Sequence, residues 1–250
     1  TLNPSSKIFE VLNNNNFAWW ERFKSESSFY IEVRKDNQIN VYHEGGNVVR
    51  LHYCSKRNVL QAFTHCKYLG REEFKNKYLN CIDILDAEID NIVSRIKGIY
   101  SEKNGVNKEK WSEKYIQGRL IENGRTKYID SEFAYKNEET DIRIDLIECV
   151  NGEIRFVELK RLDDDRMVKK TDDNPEVITQ MKNYQQFAIK NREDILKYYN
   201  KIYEIKQSLK LPLPAQKPVS ICVEPLVIIF NRWEKPHSKR DNHRQRMEEK

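Results

Sequence analysis

The sequence contains no CxxC pair. Its five cysteines, Cys54, Cys66, Cys81, Cys149 and Cys222, are scattered and odd in number, which argues against a structural zinc site and a disulfide framework and favours a reducing compartment. Its five histidines show no HxxxH or HxH spacing, so zinc hydrolase chemistry is not indicated. No P-loop, GxGxxG or GxSxG occurs, against a built-in NTPase, a dehydrogenase or an α/β-hydrolase. No apolar run approaches the roughly 18–20 residues that span a bilayer. No signal-peptide pattern opens the sequence, which starts at Thr1, and no internal repeat is visible. The expectation is a soluble cytoplasmic protein without membrane contact.

What is present is a chain of 250 residues with net charge +5, 33% charged and 38% hydrophobic. That length supports one large domain or two modest ones with a real core. Acids and bases are both abundant, so the mild positive excess does not by itself establish nucleic-acid binding.

A mixed α/β fold in two parts is expected, an accessory domain over 1–104 and a second over 105–250. In the first, FYIEV (29–33), QINVY (38–42) and NVVRLHYC (47–54) are β-branched and aromatic-rich. With turns at Lys35-Asp36-Asn37 and Glu44-Gly45-Gly46 they predict a three-stranded antiparallel meander. A short helix containing Phe17, Trp19 and Trp20 precedes it, and a helix over 56–69 follows. A longer helix is expected over 78–100, because Ile82, Leu85, Ile89, Ile92, Ile96 and Ile99 recur at spacings of three and four. That stripe suits core packing, with a homodimer seam as the alternative.

The polar stretch 101–110 reads as a linker. Beyond it come a helix over 108–122, strands over 127–136, 140–150 and 153–162, and a helix-rich segment over 175–209 that breaks near Lys190-Asn191. Asn174 and Pro175 form its cap and first turn. A buried strand over 219–230 follows, interrupted at Pro225. The order of the second part is α-β-β-β-α-β.

Asn151-Gly152 is a strong two-residue hairpin signal. It sets Leu146 opposite Val157, Glu148 opposite Arg155, and Asp145 opposite Glu158. Alternation then points Asp145, Glu158 and Lys160 to one face, with Ile147, Cys149, Ile154 and Phe156 nearer the turn. The opposite face would carry Ile142, Ile144, Leu146, Val157 and Leu159. Opposed carboxylates about 4.5–5.5 Å apart repel unless a cation lies between them. Oxygen ligands in this arrangement suit Mg²⁺ or Mn²⁺. A Lys160 salt bridge to both acids, without chemistry, is the alternative.

The pattern Asp145…Glu158-Leu159-Lys160, flanked by helices, resembles the PD-(D/E)xK nuclease superfamily, whose restriction-endonuclease-like core is αβββαβ. The resemblance covers residues 108–231, about half of the chain. It implies Asp145 and Glu158 as metal ligands, the Leu159 carbonyl as another, and Lys160 as the catalytic lysine. Glu113 matches the extra acid many members carry on the preceding helix, with Glu122 as a competitor. Gln180 and Tyr184 fit the QxxxY element of the RecB-like and Cas4-like branch. Ile144 stands where the motif's proline would be.

The implied activity is metal-dependent cleavage of DNA, in a restriction or defence setting, with RNA as the other substrate and a non-cleaving binding protein as the rival. Two further features are open to reading. The tail 232–250 holds seven Lys/Arg against four acids, and Asp163-Asp164-Asp165 reads as a solvated loop.

Overall fold

The computed structural model describes residues 2–100, 112–138, 141–162, 164–167 and 175–230. The expected linker over 101–110, the basic tail over 232–250, Asp163 and the Asn174 cap fall outside the described residues, as does the expected boundary near residue 104.

Two helices, α1 (Lys7–Asn14) and α2 (Ala18–Ser25), open the chain. The meander is antiparallel but has five strands rather than three: β1 (Tyr30–Arg34), β2 (Gln38–His43), β3 (Gly46–Cys54), β4 (Val59–His65) and β5 (Tyr78–Asn80). Asp36 and Asn37 take positive φ in the first turn, and Glu44 and Gly45 in the second.

The expected helix over 56–69 is instead β4 and a single 3-10 turn over Cys66–Leu69. Asn58 at φ 55° closes a hairpin from β3, and the burial of Ala62 and Thr64 follows the two-residue period of a strand. The expected long helix over 78–100 likewise starts late, as α3 (Leu85–Tyr100). Residues 78–80 pair with β4 instead, His65 opposite Tyr78 and Phe63 opposite Asn80.

The isoleucine stripe serves the chain's own core. Leu85, Ile89, Ile92 and Ile96 are fully buried, while Ile99 is exposed. The helix presses so close to β3 that a Cβ on Gly46 would lie 2.5 Å from Ile96 Cγ2.

The second sheet follows α4 (Glu113–Asn123) and has strand order β10-β8-β7-β6. Its members β6 (Tyr128–Lys136), β7 (Asp141–Val150) and β8 (Glu153–Arg161) are antiparallel. Then come α5 (Glu176–Lys190) and α6 (Arg192–Ser208), divided at Asn191 as expected. Pro175 itself occupies the N-cap of α5 rather than its first turn.

The last strand is split around Pro225 into β9 (Ser220–Ile221) and β10 (Leu226–Phe230), both parallel to β8. It is a half-exposed edge rather than a buried strand, with Leu226 and Ile229 exposed. Among the described residues no strand neighbours its outer side.

The halves share one hydrophobic cluster, which runs from Trp20 and Val33 to Ile144, Phe156 and Tyr199. Buried ion pairs cross between them: Arg34 to Asp130 at 2.8 Å and Lys206 to Glu32 at 3.0 Å. A Cβ on Gly118 of α4 would lie 2.5 Å from Gly45 N, so two glycines let α4 rest on the β2–β3 turn. That contact seats the helix carrying Glu113. Among the described residues no helix is long and apolar enough to cross a membrane.

Candidate active site

The site is built where β7 and β8 separate. Their hairpin has the expected register, from Val150 opposite Glu153 to Leu146 opposite Val157. Asn151 (φ 51°) and Gly152 (φ 76°) make the turn that sets it. Glu148 lies across from Arg155, although its ion pair is with Lys127 at 3.4 Å.

Pairing stops one step short of the expected Asp145–Glu158 pair. Beyond that point β8 is held by β10, with Val227 beside Glu158 and Ile229 beside Lys160. The Leu159 N–H faces the side that β7 has left. Asp145 turns its carboxylate in and accepts that N–H at Oδ2, 2.7 Å away. A buried donor is thereby satisfied by a side chain where the ladder no longer supplies a carbonyl.

This break overturns the expected division of faces. Ile142 and Ile144 do not pack with Leu146, Val157 and Leu159. They join Ile147, Cys149, Ile154 and Phe156 in the main cluster, while Leu146 belongs to the second. Residues two apart thus go to different sides, and Ile144 and Ile147, three apart, share one. The β6 ladder has its gap at the same place, between Ser131–Leu146 and Phe133–Ile144, where Glu132 takes φ 51°. An irregularity of this kind re-aims a side chain. Here the side chain is Asp145.

Glu158 and Lys160 stay on the regular strand, two apart and both almost fully buried. The Lys160 ammonium contacts Glu158 Oε1. On α5, Gln180 and Tyr184 are four apart and share a helix face. Gln180 Nε2 donates to Glu158 Oε1 at 2.8 Å and to the Tyr184 hydroxyl at 2.8 Å. The Tyr184 hydroxyl reaches Glu158 Oε2 at 2.8 Å and also the Arg143 carbonyl. Burial, then the neighbouring Glu158 charge, push the Tyr184 phenol well above its ordinary pKa, so it remains a donor. Expected site residues Asp145, Glu158, Lys160, Gln180 and Tyr184 therefore meet at one place.

Glu113 opens α4, behind a cap in which Ser112 Oγ accepts the Tyr115 N–H at 3.1 Å. Burial raises its pKa, opposed by the charges of Lys160 and Arg166. Glu122 lies elsewhere, accepting the Glu44 N–H at 3.3 Å and pairing with Arg119 at 2.7 Å. Asp145 is held up to about 7 by burial first and then by the Glu158 charge.

Two contributors were not anticipated. Gln117, one helical turn after Glu113, donates from Nε2 to the Asp145 carbonyl at 2.6 Å and fixes the backbone at the break. Its spacing from Glu113 was the available signal. Asp164, expected in a solvated loop, is buried and gripped by Arg166 through Nε at 3.0 Å and an Nη at 2.6 Å. Burial alone would raise the Asp164 carboxyl; the Arg166 hydrogen bonds bring it down to about 2.

Among the described residues no three His, Cys, Asp or Glu side chains stand grouped to enclose a metal ion as placed. The donor types nonetheless fit a hard cation. Asp145, Glu158 and Glu113 are all carboxylates, and the charges of Glu158 and Glu113 both push the Asp145 pKa up, the excess of negative potential a cation relieves. A cavity of about 590 Å³ beside Asp145 is lined by Lys35, Lys114 and Arg143, and one of about 850 Å³ opens beside Gln180 and Tyr184. Comparisons of the chain with family models, with curated proteins and with solved structures find no match.

Proposed function

We propose that the chain is a metal-dependent nuclease that hydrolyses phosphodiester bonds in DNA. The observation that carries this reading is the convergence of Asp145, Glu158 and Lys160 at a strand separation, with Gln180 and Tyr184 hydrogen-bonded to the Glu158 carboxylate. A fold gains no stability from burying two acids and a lysine where apolar side chains would pack. The set makes chemical sense as a site for a polyanion.

Asp145 and Glu158 would hold Mg²⁺ or Mn²⁺, with the Leu159 carbonyl and Glu113 as further oxygen donors. The metal, when bound, supplies a Lewis acid and lowers the pKa of bound water. Lys160, almost fully buried, would present positive charge where negative charge develops on the phosphate. Gln180 and Tyr184 orient Glu158 by donating to it. Gln117 holds the Asp145 backbone so that the carboxylate stays at the break.

A second reading, a protein that binds nucleic acid without cleaving it, is favoured by one feature: Lys160, Gln180 and Tyr184 already occupy both Glu158 oxygens. Incubation with supercoiled plasmid and with single-stranded DNA and RNA, in Mg²⁺ or Mn²⁺ against EDTA, decides between them. Metal-dependent cleavage of DNA that Asp145→Asn and Lys160→Met both abolish is the expected result. Cleavage surviving either substitution, or none in any metal, refutes the assignment.

A further inference from the structure

Sheet β1–β5 buries one face, through Val41, Val49, Leu51 and Ala62, in the core. On the other face of β3–β5 lie Arg50, Phe63, His65 and Tyr78, the first two paired across strands and the last two likewise. The Arg50 guanidinium sits 4.8 Å from the Tyr78 ring centre and 6.0 Å from that of Phe63. His65 meets the Tyr78 ring edge-on at 5.2 Å. Tyr78 is 47% exposed, unusual for an aromatic already engaged by two neighbours. Arg50, His65 and Tyr78, with Asn40 and Tyr42, line a cavity of about 240 Å³.

That cavity adjoins the one beside the candidate active site. Lys114 and Glu132 form walls both of it and of the cavity of about 590 Å³ that ends at Asp145. Across the two cavities the lining holds six Lys/Arg against three Asp/Glu. An aromatic platform topped by a guanidinium, followed by a cationic channel, is the arrangement that takes unpaired bases and their backbone. A duplex cannot present base faces to a concave pocket without opening.

Resting on the nuclease reading of the Asp145 site, we propose that this trough holds a single-stranded DNA flank of the substrate. An unpaired base lies at Arg50, His65 and Tyr78, and the backbone runs past Lys114 toward Asp145.

The test is fluorescence anisotropy of an end-labelled oligothymidylate with the full chain in EDTA, where no cleavage competes. Tyr78→Ala, at an exposed edge strand, is expected to weaken binding roughly ten- to hundredfold. Arg50→Gln should do the same, and Lys114→Ala should lower the salt slope by about 0.7. Lys197→Ala, on the exposed face of α6, serves as control and should change little. Affinities for Tyr78→Ala and Arg50→Gln within about twofold of wild type overturn the proposal, as does tighter binding of duplex or of the matching RNA. Loss of binding in Tyr78→Ala from a protein that never cleaves upholds the trough and sinks the nuclease reading. Cleavage of single-stranded DNA at wild-type rate and affinity by Tyr78→Ala does the reverse.

Discussion

Replacing Glu158 by leucine isolates the energetics of the candidate site. The substitution leaves the Lys160 ammonium, 1% exposed, without its carboxylate. Breaking a buried ion pair from one side costs about 3–5 kcal/mol, because the remaining charge is uncompensated. Tyr184 retains the Arg143 carbonyl as acceptor, so the further loss falls mainly on the Gln180 amide. Lys160→Met should be milder, about 1–3 kcal/mol, since Glu158 still receives hydrogen bonds from Gln180 and Tyr184. The double variant, Glu158→Leu with Lys160→Met, removes both charges and should recover most of the loss. Urea denaturation in EDTA reads all four proteins. With a slope of about 3 kcal/mol per molar, the leucine variant should lose roughly 1–2 M in midpoint. The reasoning is refuted if Lys160→Met is the more damaging single change, or if the double variant is no more stable than Glu158→Leu.

Other expectations are independent of that pair. Gly118→Ala puts a Cβ 2.5 Å from Gly45 N, a backbone contact that cannot yield cheaply, and should cost about 1–3 kcal/mol while lowering cleavage through displacement of α4; unchanged stability would show that α4 does not rest on the turn. His43 is buried, with Nδ1 donating to the Ser28 carbonyl at 3.0 Å and Nε2 without a hydrogen-bond partner among the described residues, 4.0 Å from Glu44 Oε1; burial lowers its pKa, opposed by the Glu44 charge. The unfolded chain therefore takes up a proton near pH ~6.5 before the folded one does, so unfolding free energy should fall as pH drops below that point. His43→Gln should flatten the slope there in pH-dependent denaturation, and an unaltered slope would contradict the burial argument.

Local pattern carried much of the fold. The Asn151-Gly152 turn needs two residues at positive φ, and few sequences supply them so plainly, so the β7–β8 register was legible from the turn to Leu146 opposite Val157, though not the break beyond it. The same holds for the division of α5 from α6 and for the buried stripe of α3. The segment over 56–69 was misread because a short amphiphilic run between turns suits helix and strand alike, and partner strands decide between them. In the site, Asp145, Glu158 and Lys160 stood out because charged residues interrupted apolar strands, whereas Gln180 came only from the QxxxY element that the resemblance implies.

The sequence by itself determined that a carboxylate, a glutamate and a lysine would lie together at one end of a hairpin, because turn chemistry and the two-residue strand period are local. Only the tertiary structure decided how they meet. Whether β7 continues beside β8 or leaves it depends on what else each strand can bond. Here β10 holds β8 from the far side, Gln117 of α4 takes the Asp145 carbonyl, and the Asp145 side chain takes the Leu159 N–H. Those partners come from segments 28 and 82 residues away from Asp145 and from β8's own unpaired edge. The neighbouring cavities beside Tyr78 and beside Asp145 arise in the same way from contacts between distant segments, which no local pattern records.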